Sequence, residues 1–162
     1  MRIAIVVACA ACTSTPADVM GTYSGPLTLG DNGCNLVDWT PGAVVTDLTF
    51  DVTQEGNAVT MTAGGSEATV LDDTVSGHTF TGSVSDVSLQ VTIIGTRMRQ
   101  MQNCMFRLDA AIVASASGST LDGELHYRET VLDPSCLFVT DAGVVTTGAM
   151  GCDSISTFGD TR

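Results

Sequence analysis

Acid–base chemistry in this chain would have to run through two histidines. His78 and His126 are its only imidazoles, the side chains that change charge nearest neutral pH. Asp86, Asp122 and Glu124 are the carboxylates close enough in sequence to pair with them. Strand-like alternation around both histidines points them outward, so solvated surface positions are expected, with no catalytic residue and no enzyme activity. Hydrolase elbows, zinc-protease helices, P-loops and dinucleotide fingerprints are all missing. Asp72-Asp73 and the Asp31-Asn32-Gly33 turn carry oxygens that could meet calcium, but neither supplies the spaced loop such a site uses. Turn chemistry accounts for both. The cysteines show no C-x-x-C or Cys/His spacing, so neither a metal nor another cofactor is expected. One stretch is basic in an acidic chain, Arg97-Met98-Arg99-Gln100-Met101. It reads as a connecting loop between strands, and its methionines would suit adaptable contacts with a partner.

The elements that position these residues are strands. A phrase occurs twice, Gly77-His-Thr-Phe-Thr-Gly-Ser-Val84 and Gly118-Ser-Thr-Leu-Asp-Gly-Glu-Leu125. Each copy is a turn glycine followed by apolar or small residues at every second position, the period of a half-buried strand leaving a hairpin. The second glycine of each copy, Gly82 or Gly123, falls on the apolar face, where a missing side chain lets a sheet bend or a neighbouring backbone approach. Other stretches keep the same period. Val19 to Leu29 puts Tyr23, Gly25, Leu27 and Leu29 on one face, with Pro26 marking an edge-like or bulged strand. Val44 to Gln54 turns Leu48, Phe50 and Val52 inward, and Glu55-Gly56-Asn57 folds it back into Val59, Met61 and Ala63. Ala68 to Leu71 is a weaker segment. Strands from His78 to Ser85 and from Val87 to Ile94 follow, and residues 95 to 103 read as a polar connection. Cys104, Phe106, Leu108, Ala110 and Ile112 then alternate, Thr120 to Glu129 answers them, and Asp153 to Thr161 closes the chain with Ser154, Ser156 and Phe158 on one face. No helical period follows residue 12. The expected fold is all-β, an antiparallel up-and-down barrel of about eight strands, with a small sandwich as the alternative.

The chain has 162 residues, enough for one domain with its own core. Lysine is absent, six arginines face 18 acidic residues, and the formal net charge is −12. Such a balance disfavours nucleic acid and anionic lipid surfaces. Aromatics make up 5%, so the interior must rely on small aliphatic groups.

Met1-Arg2 precedes a short apolar run, Ile3 to Ala11, then Cys12 and polar Thr-Ser-Thr-Pro. That order is export-signal chemistry, and the run is too short to span a bilayer as a helix. It resembles the signal of bacterial lipoproteins, which is cut before a cysteine that becomes diacylated. Val6-Val7-Ala8 before Cys9 fits the usual motif, while Cys12 leaves a longer apolar segment. Choosing Cys12 also leaves an even set, Cys34, Cys104, Cys136 and Cys152. The resemblance therefore implies a signal peptide over 1–11, a lipid on Cys12, a tether over 12–18 and a single barrel domain over 19–162. It implies a lipid-anchored place at the bacterial outer membrane and two disulfides in an oxidising compartment. Sequence alone does not choose among the three pairings. The position of Cys34 and Cys104 beside irregular stretches, and of Cys136 and Cys152 around one excursion, favours Cys34–Cys104 with Cys136–Cys152.

Gly21-Thr22-Tyr23 opens the first strand and Arg162 ends the last. The pair resembles the calycin group (lipocalins, fatty-acid-binding proteins, avidins), in which Gly-x-Trp opens the barrel and a late arginine lies across the ring. Tyr23 stands here in place of the tryptophan. The resemblance implies that Tyr23 and Arg162 meet at a barrel end. The chain as a whole also resembles small cysteine-containing β-domain lipoproteins of bacteria. Two roles follow as expectations: an envelope domain with a structural or protein-interaction role, or a calycin-like module holding a small apolar ligand.

Overall fold

The computed structural model describes residues 15–34, 39–65, 79–101, 104–133 and 153–162. Eight strands form one closed barrel in sequence order: β1 Gly21–Asn32, β2 Val44–Glu55, β3 Ala58–Gly64, β4 Thr79–Ser85, β5 Ser88–Met101, β6 Cys104–Ser117, β7 Thr120–Val131 and β8 Asp153–Thr161. Every neighbouring pair is antiparallel, and β8 returns to β1 through Ser24↔Thr161 and Leu27↔Phe158. The barrel is the expected fold, and closure rules out the sandwich alternative. The segment Ala68 to Leu71, with Asp72, Asp73 and His78, lies outside the described residues.

Alternation decides what fills the barrel. Tyr23, Leu27, Leu29, Leu48, Phe50, Met61, Phe80, Leu89, Ile112, Leu121 and Tyr127 are all but sealed from solvent. Outward neighbours are mostly Thr, Ser, Asp and Glu, so the wall is apolar inside and polar outside, the reverse of a membrane-spanning barrel. The Phe50 and Phe158 rings meet in the interior at 5.4 Å. Pro26 marks a bulge between Gly25 and Leu27, where β1 slips in register against β2. In a closed barrel it cannot be an edge, and the register shift falls at the residue that has no N–H to donate.

The two ends differ. At one end, β2–β3, β4–β5 and β6–β7 are joined by two-residue turns, Gly56-Asn57, Asp86-Val87 and Gly118-Ser119. The first residue of each has positive φ, +61°, +55° and +61° respectively, as the primed hairpin turns require. The opposite end carries the longer connections, and Trp39 from one of them packs edge-on against Tyr127 at 5.8 Å. Its indole N–H donates to Gly30 O at 3.0 Å.

One expectation is overturned along β5. Residues 95–101 continue the strand to Met101, with Arg97↔Leu108, Met98↔Arg107, Arg99↔Phe106 and Met101↔Cys104 in register. Arg97, Met98, Arg99 and Met101 are therefore strand residues, not a connecting loop. β5 gains extra residues against β6 between Ile93 and Arg97. That bulge interrupts the alternation and made the stretch read as a connection.

Candidate functional site

The turn end is closed by the chain's own N-terminal segment. The Ala17 N–H donates to Asp86 O at 2.6 Å. Gln54 fixes the segment twice: its Oε1 accepts from the Val19 N–H at 2.9 Å, and its Nε2 donates to Ala17 O at 3.1 Å. Val19 is fully buried, and the Tyr23 hydroxyl donates to Val19 O at 3.2 Å. The tether expected over 12–18 is therefore docked from Ala17 onward, because these backbone groups find partners on the turns.

Arg162 completes this closure. Its Cζ lies 5.8 Å from the Tyr23 ring centroid. Its guanidinium donates to Met20 O, to Asp18 O at 3.2 Å and to Gly118 O at 3.2 Å, and its backbone N–H donates to Ser119 O at 2.9 Å. One side chain thus joins the N-terminal segment, β1 and the β6–β7 turn. Gly21 faces it with φ +145°, and a Cβ there would approach the Arg162 Cδ to 2.9 Å. Burial pushes the Tyr23 phenol above its ordinary pKa, partly opposed by the arginine charge. Arg162→Ala removes three carbonyl partners together with a cation–π contact. It is expected to lower stability by about 1–3 kcal/mol, against near zero for an ordinary exposed arginine. Urea unfolding of both proteins measures it, and a loss under about 0.5 kcal/mol would mean the contacts are surface decoration.

Sequence reasoning missed Asp160. It is fully buried, on the inner face of β8, and both carboxylate oxygens lack a hydrogen-bond partner among the described residues. Leu121 stands opposite it on β7. Toward β1, a Cβ on Gly25 would run into Asp160 Oδ1, so the carboxyl occupies the space that glycine leaves. Burial, with the Asp122 charge second, pushes its pKa from the ordinary 3.8 up to about 6. A signal was present: the alternation of Ser154, Ser156 and Phe158 reaches Asp160 next. An acidic residue is ordinarily assigned outward.

The other chemistry-bearing cluster lies on the outside of β5, β6 and β7. His126 Nε2 sits 3.0 Å from Glu124 Oε2, and the histidine side chain is only 16% exposed. The expectation of a solvated histidine is corrected: it points outward, but into a surface cavity of about 250 Å³ lined by Thr92, Ile93, Asp109, Ala111, Arg128 and Thr130. Small Ala111 opposite His126, and the β5 bulge beginning at Ile93, open this space. Arg107 grips Asp109 with two bonds, at 2.9 and 2.8 Å, which hold its pKa above the ordinary value. Asp86 and Asp122 do not meet His126 in any contact described. No three or more His, Cys, Asp or Glu side chains among the described residues are placed to hold a metal.

Cys34 and Cys104 are each disulfide-bonded. They are not bonded to each other. Cys34 Sγ lies 3.7 Å from Tyr127 O, and Tyr127 pairs with Ala110. Cys104 is six residues further along β6, about 20 Å at strand rise, whereas bridged Cα atoms lie within about 7 Å. The preferred Cys34–Cys104 pairing is thereby overturned. Cys12, Cys136 and Cys152 lie outside the described residues. The Cys34 N–H donates to Ser154 Oγ at 3.1 Å, two residues from Cys152. Leu132 N–H donates to Met105 O at 3.0 Å, which brings the chain beside Cys104 four residues before Cys136. Non-reducing peptide mapping is expected to link Cys34 with Cys152 and Cys104 with Cys136. A Cys34–Cys136 peptide would reject that assignment.

No family model, curated protein or solved structure matches the chain.

Proposed function

We propose that the chain is an exported barrel domain, lipid-anchored through Cys12 at a bacterial outer membrane, with a structural or protein-contact role and no catalytic one. The observation that carries this reading is an interior occupied by the protein's own side chains, with Phe50 against Phe158 at its centre and Trp39 against Tyr127 toward the long-connection end. A barrel of this size either fills itself or keeps one small ligand. The asymmetry of the ends also supports it. The anchor would arrive at the short-turn end, leaving the longer connections, the usual carriers of recognition, facing away. Intact-mass spectrometry of the membrane fraction is expected to find a diacylglyceryl group on a chain starting at Cys12. A soluble, unacylated protein would reject the anchor.

A second reading, a calycin-like module for a small apolar ligand, is favoured by the Tyr23–Arg162 contact. Titration with a fluorescent fatty acid separates the two. A filled barrel gives no saturable signal, and saturable binding with one site per chain would move the assignment to ligand carriage.

A further inference from the structure

We infer that the seam between β1 and β8 is a pH-sensitive closure and that Asp160 is its sensor: the seam is shut while the carboxyl is neutral and loosens when it ionises. The geometry carries this. The carboxyl is sealed from solvent, neither oxygen has a hydrogen-bond partner among the described residues, and its near neighbours across the two strand pairs are Gly25 and Leu121. A neutral carboxyl tolerates such a place at modest cost, while a carboxylate there demands water or a counter-charge. The register makes the demand local, because Asp160 sits between Phe158, which faces Leu27, and Thr161, which faces Ser24. Water can reach it most directly by parting β8 from β1, where Gly25 contributes no side chain to hold the strands together.

The charged and titratable groups around it do not relieve the demand. From β7, Asp122 adds a like charge. From β1, Tyr23 offers a phenol already donating to Val19 O. Just beyond β8, Arg162 is committed to carbonyls of the N-terminal segment and the β6–β7 turn, with Asp18 Oδ1 at 3.9 Å from its Nη1. β2 presents Leu48 opposite Gly25. The direction then follows. A carboxyl whose folded-state pKa, about 6, lies above its ordinary 3.8 binds its proton more tightly in the folded chain. Stability is therefore greatest below the lower value and falls as pH rises between the two. Above about 6 the loss is complete.

Hydrogen exchange on the full chain, corrected for intrinsic rates, tests the seam. Between pH 5 and 7.5, protection of the β1 and β8 amides is expected to fall by about tenfold, the upper part of a total of roughly a hundredfold that begins near the lower value. β3 and β4 amides should change little. Asp160→Asn should abolish the pH dependence in β1 and β8. Equal loss in every strand would overturn a local seam, and an unchanged pH dependence in Asp160→Asn would overturn Asp160 as the sensor. A carbon-13 titration of the Asp160 carboxyl in the unmodified protein stands apart from whether that variant folds. A midpoint near 6 is expected, and one near 4 would reject the inference.

Discussion

Phe50→Ala is expected to lower the free energy of unfolding by about 3–5 kcal/mol. The ring is fully buried and is flanked in register by Tyr23 on β1 and Ala63 on β3, and the Phe158 ring reaches it from β8. Those neighbours decide the magnitude. Ala63 has only a methyl group, with no rotamer that could fill the void, and Tyr23 is held by its hydroxyl on Val19 O, so collapse around the cavity is restricted. Lost transfer energy and the cavity term then add. Urea denaturation with an unchanged slope would read the loss as stability alone. A cost below about 1.5 kcal/mol would show that the interior relaxes freely, and the filled-barrel argument would fail with it. Combining Phe50→Ala with Phe158→Leu in a double-mutant cycle should return a coupling of about 0.5–1.5 kcal/mol for the ring pair.

The second large effect belongs to the repeated phrase. Gly82→Val and Gly123→Val are each expected to cost about 3 kcal/mol or more, or to prevent folding. At Gly82 a Cβ would strike Gln90 O and come within 2.7 Å of Val91 Cα; at Gly123 it would lie 2.5 Å from Val113 O and 2.6 Å from Ala114 Cβ. Most of these obstacles are backbone, which cannot rotate away. The strand next door would have to move, and in a closed ring each strand is held on both sides. Thr81→Val, one residue away on the exposed face, is the control and should stay within about 0.5 kcal/mol. If Gly123→Val folds as stably as that control, close strand approach is not what the glycine provides.

These glycines show how far the sequence could be read. Their alternation with the buried Phe80 and Val84, and with Leu121 and Leu125, was visible from period two alone, as was the β2–β3 hairpin, although Gly82 itself is exposed and Gly123 half-buried. The Tyr23–Arg162 contact could be anticipated, since closure requires the first and last strands to be neighbours. Four features resisted. The β5 extension through Arg97 and Arg99 hid behind a bulge, which shifts register without leaving a mark in composition. Asp160 obeys the alternation but carries a charge, which period two alone does not place inside; only the gap left by Gly25, across a strand pair, makes room for it. The docking of Ala17 and Val19 depends on a glutamine in β2 and a carbonyl in the β4–β5 turn, and no local pattern announces contacts at such separation. The same is true of the Cys34 surroundings, which come from β7 and β8.

Arg162 and the segment from Thr15 to Met20 lie together at the two-residue-turn end, and every strand pairs with its sequence neighbours, the last with the first. The ring of hydrogen bonds is therefore cyclic, and only the order of synthesis decides where it starts. A short linker from Arg162 to Thr15, with new termini cut at Gly56-Asn57, would preserve every strand pair while turning the closing pair into a local one and the β2–β3 hairpin into the closing one. Loop closure between distant strands is the entropically expensive step in such a topology, so circular permutation would move that step around the barrel without altering what it encloses.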